Sequence, residues 1–197
     1  MSVSVRKLVS TTVAERWGLV QSHSFELRRR DGTWQKQVRE TYDRGDGAAI
    51  LLCDVVAGTV ILTRQFRFPA EYRGENPYLI EVCAGKLEGD DAATCARKEA
   101  EEETGYRVET VEKAFDCFMS PGSVTERLSM FIGRVDHAAR IAAGGGLHDE
   151  GEDIEVIELP FAAALKMVET GEIADAKTIM LLQYAAMQRL FARNRAG

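Results

Sequence analysis

The chain has 197 residues, 45% of them hydrophobic and 28% charged, with a net charge of −6 and a pI near 5.2. That length supplies one full domain able to bury about 70% of its surface, and the negative balance argues against a general nucleic-acid binder. Cys53, Cys83, Cys95 and Cys117 lack paired metal-ligand spacing and read as reduced thiols of a cytoplasmic protein; no stretch approaches membrane-spanning length, and the start lacks an apolar targeting core.

Residues 5–42 hold short alternating runs. Ser22–Arg28 has period two, Asp31-Gly32 supplies a hairpin turn, and Trp34–Glu40 alternates again. Strands this polar bury little alone, so they are expected to pack on the main domain or on a partner subunit. His23 reads as a strand-surface residue, and Arg28–Arg30 as a solvated edge rather than a binding patch. A turn cluster, Tyr42–Gly47, precedes the buried-strand run Ala48–Asp54, and Ala57-Gly58 turns the chain into a second strand, Val60–Arg67. Arg64 and Arg67 at its end can pair with surface acids, and for Arg67 a phosphate role is the favoured reading. Pro69, Tyr72 and Pro77 mark a loop. Tyr78–Cys83 then reads as a strand feeding Ala84-Gly85, where strand-end carbonyls can join carboxylates around a metal.

A helix is expected between Asp90 or Asp91, either a good N-cap, and Gly105 just past its end. Ala93, Ala96, Ala100 and Thr104 fall on one small-residue face suited to close packing on a sheet. Glu99, Glu101, Glu102 and Glu103 crowd the last turns, where the helix dipole favours cations. Each acid pair costs roughly 0.2–0.5 kcal/mol, and adverse placement adds roughly 0.3–1 kcal/mol per acid. Oxygen ligands gathered in this way suit a hard divalent cation, Mg²⁺ or Mn²⁺. The glutamates alone are equally compatible with a solvated acidic helix end.

After Gly105, Tyr106–Met119 reads as an interrupted strand, Met119–Glu126 as a Pro-Gly turn ending on a single acid, and Arg127–Val135 as a returning strand. Ala142–Gly146 is a flexible glycine run leading into the acidic segment 148–153. That segment is either a solvated loop or a closing arm that delivers a carboxylate. Ile154–Glu158 is a strand. Pro160 opens a helix that Gly171 ends, and Asp175 caps a last helix with a core stripe of Ile179, Leu182, Ala186 and Leu190. Lys177 sits in its first turn, a poor place for a cation; a nearby anionic ligand would explain it, and so would simple exposure. The order of elements supports an α/β sandwich with a mixed sheet between helices.

Residues 84–106 resemble the Nudix box, in which a glycine loop leads into a helix ending Arg-Glu-(apolar)-x-Glu-Glu-x-Gly-(apolar). Lys98, Glu99, Ala100, Glu102, Glu103, Gly105 and Tyr106 match that ending in register. Lys98 stands for the usual Arg and lacks its bidentate fork; Asp90 occupies the upstream Glu position, and Gly85 is one residue closer than the standard spacing. Arg39–Gly45, Met119–Gly122, and Gly144–Gly146 followed by Glu152–Val156 further resemble the nucleoside-diphosphate-sugar branch of Nudix hydrolases, the GDP-mannose pyrophosphatases. Pro121, fifteen residues after Tyr106, is also a mark of the related ADP-ribose pyrophosphatases.

The resemblance implies an α/β (α+β) Nudix sandwich over residues 46–197, with an N-terminal antiparallel β region, 1–45, that dimerises by strand exchange. It implies Mg²⁺-dependent cleavage of a small-molecule nucleotide sugar by a cytoplasmic homodimer, with no nucleic-acid or membrane partner. The metal would sit on the Ala84 carbonyl, Glu99, Glu103 and Glu152, and catalysis would fall to Glu103, Glu152 and Glu102. Substrate would meet Trp17 from the other subunit, Gln37, Val38, Arg39, Glu40, Arg67, Ala84, Gly85, Lys86, Glu103, Glu126, Gly151, Glu152 and Lys177. Between Glu150 and Glu152 as the loop carboxylate, the choice is Glu152. ADP-ribose is the alternative substrate within the class; a sugar-nucleotide sensor without turnover is the alternative outside it.

Overall fold

The computed structural model describes residues 4–192, and the side chain of Glu150 lies outside what is described. Those residues form two compact units, 4–46 with 118–127 and 47–117 with 128–192.

In the first unit, β1 (Val5–Glu15), β2 (Leu19–Arg28) and β3 (Trp34–Asp43) form an antiparallel sheet in that order. Gly32 closes the β2–β3 hairpin at φ 85°, and the Asp31 carboxylate accepts from the Thr33 amide, the turn chemistry that a short polar side chain and a glycine supply. Every residue of β1 is exposed, including Leu8, Val9 and Val13. His23 is more than a surface residue: one ring nitrogen bonds the Ser10 hydroxyl and the other that of Thr41, both at 2.8 Å, tying β2 to its two neighbours.

The second unit is a seven-stranded mixed sheet with helices. β4 (Gly47–Asp54) and β5 (Thr59–Phe66) are joined by the Gly58 turn and pair antiparallel. The loop expected around Pro69 contains a short helix, α1 (Phe68–Tyr72), because proline near a helix start costs no hydrogen bond. The strand expected over Tyr78–Cys83 is two strands, β6 (Tyr78–Glu81) on β5 and β7 (Cys83–Lys86) on β4. α2 (Ala92–Thr104) follows, then β8 (Val111–Phe118), β9 (Arg127–Arg134), β10 (Glu155–Pro160), α3 (Phe161–Thr170) and α4 (Ala176–Met187). The main path is β10-β5-β4-β9-β8, parallel only where β4 meets β9 among the registers resolved. β8 is shorter than the strand expected from Tyr106, which makes only an isolated bridge to Arg140.

β4 is buried on both faces, the signature of a central strand. Ala48, Ile50 and Leu52 pack with Cys95, Ala96 and Ala100 of α2, whose small side chains let the helix approach the sheet closely. The intervening Ala49, Leu51 and Cys53 are buried as well, and α4 packs against β4 and β6. The buried stripe of α4 is Thr178, Leu181, Leu182 and Ala185, offset from the expected one; Leu190 lies beyond the helix. The two i,i+3/i+4 sets are neighbours on a short, largely apolar helix, and periodicity alone does not rank them.

Candidate active site

α2 is built from local signals. Asp91 is its N-cap, accepting from the Ala93 and Thr94 amides at 3.0 Å, and Gly105 ends it in the left-handed conformation at φ 75°. Its acids then diverge. Glu101 turns outward to Arg107, at 3.1 and 3.2 Å. Glu102 is half-buried, and its charge is the main reason the Lys98 ammonium is raised above its ordinary value. Glu103 is buried, and its Oε2 has no hydrogen-bond partner among the described residues. Burial, followed by the charges of Glu99 and Glu152, pushes the Glu103 carboxyl up to about 8 against the opposing pull of Lys177 and Arg67. Glu99 lies against the β7 turn so closely that a Cβ on Gly85 would overlap its carboxylate. The Ala84–Lys86 backbone and Glu99 are therefore neighbours.

The glycine run is fixed rather than loose. The Gly145 and Gly146 amides donate to the Glu103 and Glu102 carbonyls, at 2.9 and 3.2 Å, and Gly144, Gly145 and Gly146 all have positive φ. These amides satisfy the carbonyls that the end of α2 leaves open, at the pole where the acids are least favoured. A side chain at Gly144 would strike the Thr104 and Glu103 backbone, and one at Gly146 would overlap Glu152. The Glu152 carboxylate accepts from the Leu147 amide at 2.9 Å, and Gly151 ends the short turn His148–Glu150 in the left-handed region.

Lys177 is buried, so simple exposure does not explain its place in the first turn of α4. Its anion is Glu81, which bonds the Lys177 ammonium closely, while Asp175 accepts from the same nitrogen at 3.0 Å. Arg67 donates to both Glu81 oxygens, Nε at 2.7 Å and Nη2 at 2.8 Å. Burial alone would raise the Glu81 carboxyl, but Arg67 and Lys177 outweigh it and hold the group below the ordinary carboxylate range. Sequence reasoning passed over Glu81 and assigned Asp175 only to capping. The available signal was a lone acid in the apolar run Tyr78–Cys83.

The remaining candidates lie in the first unit. Trp17 is 89% exposed and Val38 56%. On β3, the Gln37 amide donates to Gln35 at 3.2 Å and Arg39 to the Val38 carbonyl at 2.7 Å. Arg39 and Glu40 line a largely apolar concavity of about 890 Å³ with Val5, Leu8, Phe25 and Phe118. Glu126 stands 3.7 Å from Arg44.

Among the described residues, no three His, Cys, Asp or Glu side chains converge tightly enough to hold a metal ion by themselves. The donors of the second unit nevertheless fit a hard cation completed by water and substrate. They are oxygens, one is buried without a partner, and their mutual repulsion is what a dication relieves.

The NUDIX domain model matches residues 43–182, and the model described as GDP-mannose pyrophosphatase NudK N-terminal domain matches residues 4–42. A GDP-mannose pyrophosphatase of Pectobacterium atrosepticum is 48% identical over 194 residues, covering 98% of this chain and 100% of the relative. One from Klebsiella pneumoniae subsp. pneumoniae is 45% identical, covering 98% of each. Among solved structures, one titled as an ADP compounds hydrolase shares the fold at TM-score 0.72 and 20% identity, covering 99% of this chain and 100% of the other.

Proposed function

The chain belongs to the Nudix family, and from that membership we propose that it hydrolyses the diphosphate of a nucleoside-diphosphate sugar, GDP-mannose, to GMP and mannose 1-phosphate. The observation that carries the reading is the Glu103 carboxylate, one oxygen unpartnered, raised first by its burial and then by the charges of Glu99 and Glu152. The near full-length relatives named GDP-mannose pyrophosphatase support the choice of substrate.

Nudix hydrolases generally use divalent metal ions. Here Glu99, Glu103, Glu152 and the Ala84 carbonyl would hold Mg²⁺, which when bound screens the diphosphate and makes a water more acidic. Arg67, with Nη1 outside its fork to Glu81, faces charge that builds on the phosphoryl oxygens. Lys177 adds a second fixed cation. Glu152 orients the attacking water and takes its proton, and Glu102 sets the charge around Lys98. Gln37, Val38, Arg39, Glu40 and Glu126 contact the sugar nucleotide, as do the Ala84–Lys86 and Gly151 backbones.

The reading includes a homodimer in which Trp17 of the partner subunit completes the site. The exposed apolar residues of β1 and the open concavity of the first unit support it. It also places the reaction in the cytoplasm, consistent with four free thiols. No described helix is long and apolar enough to cross a membrane.

Pro121 keeps ADP-ribose in view as a second substrate. Side-by-side kcat/KM values with Mg²⁺ decide between them: the expected order is GDP-mannose first, and a higher value on ADP-ribose reverses the assignment. Tight binding of either without products would instead identify a sensor.

A further inference from the structure

Glu81 is a charged residue in a strand whose neighbours are apolar, 1% exposed, and nothing in the proposed chemistry uses it directly. Its carboxylate sits where three elements meet. Arg67 reaches it from the end of β5 with two bonds, Lys177 from the first turn of α4 with one, and Asp175 holds the other side of Lys177. The backbone around it is equally fixed. Glu81 pairs with Thr63 across β5–β6, the Thr63 hydroxyl donates to the Glu81 carbonyl at 3.3 Å, and the neighbouring Val82 amide donates to Thr178 at 2.8 Å.

Removing Glu81 and Lys177 from water carries a desolvation penalty for each ion before the pairs form. Well-packed apolar residues often replace buried ion pairs without loss of stability, so packing alone does not account for two acids and two cations here. The cations are also the two whose charge acts on Glu103, and bidentate pairing fixes the guanidinium plane in a way that a single contact does not.

We propose that Glu81 is a positioning residue for the reaction: it fixes the plane of the Arg67 guanidinium and the place of the Lys177 ammonium, and so aims both at the scissile diphosphate. The inference rests on the hydrolase reading above. Because Glu81 acts through Arg67, its removal costs turnover more than affinity, and the loss is not additive with a change at Arg67.

The test is a double-mutant cycle on the full-length enzyme with GDP-mannose and Mg²⁺, using wild type, Glu81→Gln, Arg67→Lys and the pair. Arg67→Lys keeps the charge and removes the fork. Glu81→Gln is expected to lower kcat on the order of 100-fold, the scale of a misaligned catalytic group, with KM changed much less. In the Arg67→Lys background the same substitution is expected to cost only a few-fold. If Glu81→Gln does not fold, Glu81→Asp, which keeps the charge and shortens the reach, takes its place in the cycle. Unchanged kcat in a folded Glu81 variant, or losses that multiply in the pair, overturns the positioning role. Failure of wild type to cleave GDP-mannose or ADP-ribose would instead overturn the hydrolase reading.

Discussion

At the scale of single residues, two buried acids, Glu103 and Glu81, carry opposite electrostatics. Glu103 is pushed up by burial and by its neighbouring carboxylates; Glu81 is held down by two cations. Glu103→Gln or Glu99→Gln is expected to cut kcat about 10²–10³-fold, the scale of losing a preorganised electrostatic group, with circular dichroism unchanged. Glu81, besides its effect on kcat, should show in stability. Its folded pKa lies below the unfolded reference of 4.5, so its contribution is fully present above that value and is lost as pH falls through the folded one. Melting temperature measured from pH 7 to pH 3 should therefore fall more steeply below pH 4.5 in wild type than in Glu81→Gln, whose amide does not titrate. At neutral pH the Gln variant should be less stable by about 3–5 kcal/mol, because Lys177 and Arg67 lose a buried partner. Parallel curves would mean that Glu81 is not an ionised partner of these cations.

At the scale of elements, the end of α2 and the glycine run form one device, in which amides of the run bond the helix carbonyls and Glu152 packs on Gly146. Gly146→Ala is strained by its φ of 76° and by the overlap with Glu152; it should lower stability by roughly 1–3 kcal/mol and reduce kcat together with it, by thermal melts and initial rates. Asp91→Ala should cost about 1 kcal/mol and leave kcat intact, because that cap is remote from the acids. α2 was legible because its signals are local: Asp91, the small face, the carboxylates and Gly105 stand in helical order. The β2–β3 hairpin was legible for the same reason, with period two and an Asp-Gly turn, whereas the limits of β1 were not drawn from the alternating runs of residues 5–42. Glu81 was not, since its meaning comes from Arg67 and from Lys177, which is 96 positions away in sequence. The glycine run read as flexible because positive φ and close approach look alike in a sequence. The α4 stripe was set by tertiary packing that local periodicity does not encode, and the short α1 by a proline near a helix start, where its missing N–H costs nothing.

At the scale of the whole molecule, the chain is a Nudix domain carrying a small, thinly buried antiparallel unit at its N-terminal side. In the homodimer proposed above, the exposed Leu8, Val9 and Val13 of β1 are the residues that would meet the partner. Val9→Asp with Val13→Asp should shift the mass measured by light scattering from dimer to monomer and raise KM, whereas a wild-type monomer would remove the shared site. The central claim concerns the bond that is broken. Purified wild-type protein is incubated with GDP-mannose and Mg²⁺, and its products are separated by ion-exchange chromatography beside Glu103→Gln and a chelator control. The account predicts GMP and mannose 1-phosphate in equal amounts from wild type alone; release of GDP and free mannose, or undiminished turnover in either control, would contradict it.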